Sequence, residues 1–371
     1  MNQRYRYQSI FTFGSLQSVG HTEEYFAKHT RKLVINIVMP RLKNQGNLLR
    51  VYFEGKLIKE EIVWSSTSFF SYYLFWFYHY WKFLLVFFGR NEKFIVLAGH
   101  PIFLLGMTVQ KLLRPNVQFA YWIGDYFPPV NLSLWMFEKL KKYYHDRVSY
   151  AFYLSDIINQ IFNKGKIMNT LWKKTVMWGV NPIGTGKYDI KGQFNILFVG
   201  LLKEGQGIEL LLSFLAKHQK YTLKIIGICP NGLFRKYQEL IAKYHIVNRV
   251  FFPNKFYTDS KLARLAKTCH VGVAFYETGL NSSTYYTDPG KVKTYIEMGL
   301  PVIMSHTSAI SPYIVQFGCG EVVDFSEDAL AQALVKIQRN YIIYKNASDK
   351  FNEYFYFENY YKDKFKCFEQ N

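Results

Sequence analysis

Two short stretches hold the residue types that phosphate chemistry needs. The first, residues 198–208 (FVGLLKEGQGI), runs from an apolar strand pattern through Gly200, Lys203, Gly205, Gln206 and Gly207 into the start of a helix. Glycines let a backbone approach an anion closely, and a helix N-terminus offers unpaired N–H groups to phosphate. The spacing is neither GxGxxG nor a Walker loop, which argues against a dinucleotide enzyme or an NTPase. The second stretch, residues 287–303 (TDPGKVKTYIEMGLPVI), opens on a Pro289-Gly290 turn and sets Lys291 and Lys293 at the start of a helix. The macrodipole disfavours cations there. A bound diphosphate would compensate, and two solvated lysines on a surface helix are the other reading. Asp288 is a candidate cap for that helix.

The elements that position these stretches follow from the apolar pattern. In the first half, residues 33–39, 94–98, 117–123, 148–154 and 175–178 read as buried strands. Residues 47–53 and 57–64 flank Glu54-Gly55 as a hairpin. Helices are expected over 102–113, ended by Pro115, and over 134–144, with Ser155 or Asp156 capping a further one. Residues 181–193 (NPIGTGKYDIKGQ) are rich in glycine and poor in apolar residues, and read as a linker. The second half restarts the alternation, with strands at 195–199, 222–228, 250–252, 271–275 and 302–304 and helices between them. Such alternation implies α/β architecture: two doubly wound, Rossmann-like domains, 1–180 and 194–345, facing a central cleft. Residues 346–371 are expected as a helix packing back on the first domain. Ligands of doubly wound sheets bind beyond the carboxyl ends of the strands. The loops after Ala98, Ile123, Val199 and Phe275 are therefore where chemistry belongs.

The pattern Pro-x-Lys-x-x-x-Tyr-x-x-x-Gly-x-Pro-Val over 289–302 resembles the donor-binding helix of GT-B glycosyltransferases similar to family 4. The Phe-Val-Gly loop at 198–200 sits where that family's first donor loop falls, and Gly205-Gln206-Gly207-Ile208-Glu209 resembles its Gln-Gly-x-Glu variant. The likeness is good over 195–305; in the first half it rests on strand order and on 121–128. It implies a nucleoside-diphosphate sugar as donor substrate, no cofactor, and donor contacts from Gly200, Lys203, Gly205, Gln206, Gly207, Pro289, Gly290, Lys291, Lys293, Thr294 and Glu297. It also implies catalytic roles for His100, after a first-domain strand, and for Asp125, the carboxylate of the family's His-Asp pair. This chain departs at several positions. Leu201 stands where the family often has arginine, Gln206 where it has lysine, and Gly124 where it has the histidine of that pair. Tyr286 and Thr294 stand where two glutamates are common. Lys203 is a candidate substitute for the missing loop charge, and either Glu297, one turn beyond Thr294, or the Thr294 hydroxyl for the ribose contact. The resemblance also implies retention of configuration, and independence of metal is expected because no DxD-like pair is placed for an essential ion.

The chain has 371 residues, 49% hydrophobic and 19% aromatic, with a net charge of +19. Residues 1–180 carry 23 Lys/Arg against 10 Asp/Glu, a balance of +13. That field attracts anionic partners. No RRM, OB or helix-turn-helix pattern accompanies it, so nucleic acid is not expected. Residues 69–88 (FFSYYLFWFYHYWKFLLVFF) are long enough to span a bilayer, yet hold His79, Lys82 and interface-preferring aromatics. A packed helix, an interfacial helix and a span are all open readings. Four cysteines without CxxC spacing indicate a reducing compartment, and the N-terminal residues do not make a convincing signal peptide. Together these imply a cytoplasmic protein peripheral on the inner face of the membrane, acting on a cell-envelope polysaccharide or lipid-linked acceptor. The competing function is a non-catalytic GT-B protein that binds a nucleotide sugar or a partner glycosyltransferase.

Overall fold

The computed structural model describes residues 5–14, 19–37, 47–63, 69–183, 192–277, 279, 282–286, 288–306 and 309–370. The chain forms two compact units, Met1–Gly179 with Phe357–Asn371, and Val180–Tyr356.

The first unit is built on an eight-stranded sheet. Its strands are β1 (Tyr7–Gly14), β2 (Thr30–Ile37), β3 (Asn47–Phe53), β4 (Lys56–Val63), β5 (Phe94–Ala98), β6 (Val117–Ile123), β7 (Tyr150–Tyr153) and β8 (Lys173–Thr175). Their order is β4-β3-β2-β1-β5-β6-β7-β8, with β3 antiparallel to both neighbours and the rest parallel. The β3–β4 turn is the expected one: Glu54 and Gly55 both have positive φ, 51° and 79°, as a tight hairpin requires. Central β1 was not expected. Gln8, Ser9 and Thr12 interrupt its apolar run, although Ile10, Phe11 and Phe13 are fully buried.

The helix Phe69–Phe87 packs Trp76, Tyr80, Phe83 and Leu84 inward. Tyr80 stacks on Phe11 and meets Phe13 edge-on, with centroids 5.5 and 5.3 Å away. Leu74, Tyr78, Leu85 and Val86 stay exposed, and no helix of the described residues is long and apolar enough to cross a membrane. The single helix expected over 102–113 is instead a 3-10 turn, Pro101–Leu104, and a helix, Met107–Leu113. Gly106, at φ 77°, breaks it with Trp81 packed against its α-carbon. Ser155, rather than Asp156, caps the helix Asp156–Phe162, accepting from the Ile158 N–H.

The second unit is a six-stranded parallel sheet ordered β11-β10-β9-β12-β13-β14. Its strands are β9 (Phe194–Val199), β10 (Tyr221–Ile226), β11 (Val250–Phe251), β12 (Val271–Ala274), β13 (Val302–Ser305) and β14 (Gly320–Val323). The strand order reverses between β9 and β12, and crevices for ligands open at such a switch point.

The unit boundaries differ from the expected ones. Of the expected linker, 184–191 lie outside the described residues, while the Asn181 and Ile183 N–H groups already bond to Glu297 in the second unit, at 2.8 and 2.9 Å. The chain returns to the first unit at Phe357, not at 346. The helix Tyr341–Phe355 is held in the second unit by Asn352, which donates to the Ile296 carbonyl at 2.8 Å, and by Phe355 under Lys293. The helix Phe357–Lys364 and the turn after it then pack on Tyr25, Phe26 and Trp122 of the first unit.

Candidate functional site

The loop after β9 is shaped by close backbone approach. Gly200 lies at φ 132°, where side chains are rarely tolerated. A Cβ on Gly227, after β10, would fall 1.7 Å from the Gly200 oxygen, so the two strand ends touch as bare backbone. Gly207, at φ 71°, precedes the helix Ile208–Lys217, and a Cβ there would strike Phe275 at 2.6 Å. Between them, the Gln206 amide oxygen accepts from the Lys203 N–H at 3.3 Å, and the Gly205 carbonyl accepts from the Glu277 N–H at 2.8 Å. The loop is thereby tied to the segment after β12. An open cleft of about 320 Å³ lies along this seam, lined by Lys203, Glu204, Gln206, Tyr276, Glu277 and Ser282.

Lys291 comes up beneath the loop. It is the second residue of the helix Gly290–Glu297, whose N-terminus at Pro289 has no side-chain cap. Its Cε would be 3.4 Å from a Cβ on Gly200, so glycine at 200 leaves the ammonium its place. The Nζ is shielded from solvent and has no hydrogen-bond partner among the described residues. It lies 4.1 Å from the ring centroid of Phe198 and 5.1 Å from that of Tyr276. Burial, and then the nearby charge of Lys203, push its pKa down to about 7. A buried ammonium without a carboxylate, at a helix N-terminus, is strongly disfavoured unless an anion joins it.

Tyr295 locks this helix to the strand ends. Its buried hydroxyl donates to the Val273 carbonyl at 3.0 Å and accepts from the Val199 N–H at 2.8 Å. Gly272 makes room, since a Cβ there would sit 2.1 Å from the ring. One tyrosine therefore fixes Lys291 relative to both strands of the switch point.

The other expected donor residues are placed differently. Lys293 is turned inward: its Nζ is 2.7 Å from Asp288 Oδ2 and 4.9 Å from the Phe355 ring centroid, with both charged side chains almost fully buried. Burial lowers its pKa and Asp288 opposes that. Asp288 is thus an ion-pair partner rather than the helix cap. The Thr294 hydroxyl bonds back to the Gly290 carbonyl at 3.2 Å. Glu297 accepts from the Asn181 N–H, which secures the segment entering the second unit. The structure brings together Gly200, Lys203, Gly205, Gln206, Gly207 and Lys291, with Pro289 and Gly290 at the helix start. Tyr276 and Glu277, which lie in the loop after Phe275 but were not among the expected donor residues, join them. Their position directly after a strand at the switch point was the available signal. The segment 276–287 includes a short helix, Ser283–Tyr286; residues 278, 280, 281 and 287 lie outside the described ones.

In the first unit, His100 and Asp125 follow the carboxyl ends of the adjacent parallel strands β5 and β6. The His100 ring packs between Trp76 and Phe137, at centroid distances of 5.7 and 5.3 Å. Burial and then Lys141 push its pKa down to about 4, so it is neutral at physiological pH. Asp125 is exposed, and its carbonyl accepts from the buried Lys141, which also pairs with Glu138 at 2.7 Å. No cluster of three or more metal-ligating side chains occurs among the described residues.

No family model and no curated protein matches the sequence. Solved structures do. Anabaena HepE in complex with UDP-glucose is 11% identical at a TM-score of 0.70, over 98% of this chain and 100% of that one. Sucrose-phosphate synthase from Thermosynechococcus elongatus is 13% identical at 0.69, over 98% of each chain. S. aureus TarM, solved with UDP, is 13% identical at 0.58 over 86% of this chain, which spans only 61% of TarM. At these identities the likeness defines the fold, which is that of GT-B glycosyltransferases: two Rossmann-like α/β domains with parallel sheets.

Proposed function

We propose that the chain is a glycosyltransferase that takes a sugar from a nucleoside diphosphate, with its donor site in the second unit. The observation that carries this reading is the Lys291 ammonium, buried and unpartnered beneath Gly200 at the switch point. Departure of a nucleoside diphosphate develops negative charge on the phosphate. A preorganised cation and a helix N-terminus stabilise that charge without reorganising. Lys203 supplies a second, solvent-facing cation, and the glycine loop supplies backbone. Neutral His100 and the Asp125 carboxylate are the acceptor-side candidates.

The fold neighbours solved with UDP or UDP-glucose support a uridine nucleotide. A hexose as the sugar, retention, metal independence and a cell-envelope polysaccharide or lipid-linked acceptor complete the proposal. Lys291→Ala should cut turnover by roughly 100-fold or more, the scale for losing one such group. Near-wild-type turnover in a folded variant contradicts the assignment, and loss of turnover on chelation contradicts metal independence. Leu201 and Thr294, at positions where relatives carry charge, favour a second reading: a GT-B protein that binds a nucleotide sugar without turnover. Donor hydrolysis by the purified protein separates the two.

A further inference from the structure

We propose that three helices of the first unit form a docking face for an anionic bilayer surface. They are Phe69–Phe87, Met107–Leu113 and Leu132–His145. Side-chain contacts join them. The Tyr80 hydroxyl donates to Gln110 at 2.8 Å, His100 bridges Trp76 and Phe137, and the Lys111 ammonium reaches the Arg147 carbonyl at 3.5 Å.

Each helix turns apolar side chains outward at helical spacing. Leu74, Tyr78 and Leu85 do so on the first, and Val109, Leu112 and Leu113 on the second, with Leu112 77% exposed. On the third, Leu132, Trp135 and Met136 do the same. The inward side chains Trp76, Tyr80, Met107, Gln110, Lys141 and Tyr144 are already buried, so the outward ones are surplus to the core. An apolar surface of this kind on a soluble domain marks an interaction site.

Charge selects the partner. Exposed Lys82, Lys111 and Lys139 are interleaved with the apolar side chains. Lys139 lies 5.4 Å from the Trp135 ring centroid, and the Arg147 guanidinium 3.7 Å from that of Tyr143. Glu138 is the sole acidic residue within the three helices, and it is buried against Lys141. Off the helices, Glu61 is paired with Lys59 and also lies near Lys82, and Asp146 is paired with Lys142. Outward aliphatic groups, interface-seeking Trp and Tyr, and an excess of cations over carboxylates match the boundary of an anionic leaflet. A second copy would set the same lysines against one another, which like-charge repulsion opposes. Because no described helix is long and apolar enough to cross the bilayer, the contact is one of lying on the surface. This inference is independent of the donor site, which lies in the other unit.

The full chain is sedimented with vesicles of phosphatidylcholine alone or with phosphatidylglycerol, at low and high salt. Pelleting should require the anionic lipid and reverse at high salt. The triple variant Lys82→Gln, Lys111→Gln, Lys139→Gln should weaken partition on the order of 100-fold, at roughly fivefold for each cation. The pair Leu112→Glu, Met136→Glu should abolish it, with melting temperature and nucleotide affinity unchanged in both. A protein that stays in the supernatant with anionic vesicles at low salt overturns the inference. So does equal pelleting by the folded variants. A dimer in sedimentation velocity that the Leu112→Glu, Met136→Glu pair dissolves would make a second copy the occupant instead.

Discussion

Lys291 serves two opposed demands, and pH separates them. Burial holds its pKa in the free protein near 7, against an ordinary value of 10.5. Between those two values the unfolded chain binds the extra proton, so this residue's contribution to stability rises with pH across that window. Below pH 7 the folded protein must bury the charge, and the penalty is complete. Lys291→Met should therefore raise the melting temperature of the free protein at pH 6 and raise it less at pH 9.5. The scale is about 2–4 °C per kcal/mol for a domain of 150–250 residues. A variant that melts lower at pH 6 contradicts this account. Diphosphate affinity should run the other way, falling as pH rises through 7 and the ammonium is lost. Lys203 is exposed, so Lys203→Met should leave the melting temperature nearly unchanged while weakening UDP binding in calorimetry. Unaltered affinity would remove Lys203 from the site. His100, neutral because of burial and Lys141, should show an NMR titration midpoint near 4 rather than near 6.5.

In the proposed function, the helix Gly290–Glu297 meets its ligand end-on. Each turn has a separate attachment. Lys293 pairs with Asp288, Tyr295 binds the ends of β9 and β12, and Glu297 holds the segment entering the unit. These anchors free the first turn to present Lys291 without a side-chain cap. Tyr295→Phe keeps the ring but strands the Val199 N–H and the Val273 carbonyl. An unsatisfied buried group costs about 1–3 kcal/mol, so thermal unfolding should shift by that order. UDP affinity should fall as well, because the helix loses its register against the loop. A shift in stability with no change in affinity would show that Tyr295 supports the fold alone.

At the scale of the whole molecule, the chain leaves the first unit at Gly179 and returns at Phe357. The returning segment is structural. The Tyr361 hydroxyl accepts from the Gly179 N–H at 2.7 Å and donates to the Gly20 carbonyl at 2.6 Å, while Tyr360 accepts from the Met177 N–H at 2.9 Å. Phe365 packs on Trp122 and Phe152. Removing residues 357–371 should unfold the first unit while the second, which holds the proposed donor site, keeps its UDP affinity. Loss of near-ultraviolet dichroism with retained nucleotide binding is the expected signature. An intact first-unit signal after truncation would make the segment dispensable.

The two Rossmann-like sheets were legible in the sequence because buried parallel strands are short, continuous apolar runs separated by helical periods. The glycine loop and the lysine-bearing helix were legible too as elements, since glycine positions and a Pro-Gly turn are local signals. Strand β1 was not, because its polar residues mask a central position that only its neighbours β2 and β5 define. Nor could spacing assign the lysines. Lys291 and Lys293 are two residues apart on one helix, and about 200° of rotation separates their directions. Tertiary packing decided that Lys291 faces the bare backbone of Gly200 while Lys293 faces Asp288 and Phe355. Glu297 looked equally suited to a ligand until the Asn181 N–H was found on its carboxylate. Residue type sets what a side chain can do, and periodicity sets which elements exist. Whether a charge meets an anion, an acid or an aromatic ring depends on partners distant in the chain, and those are brought together only by the fold.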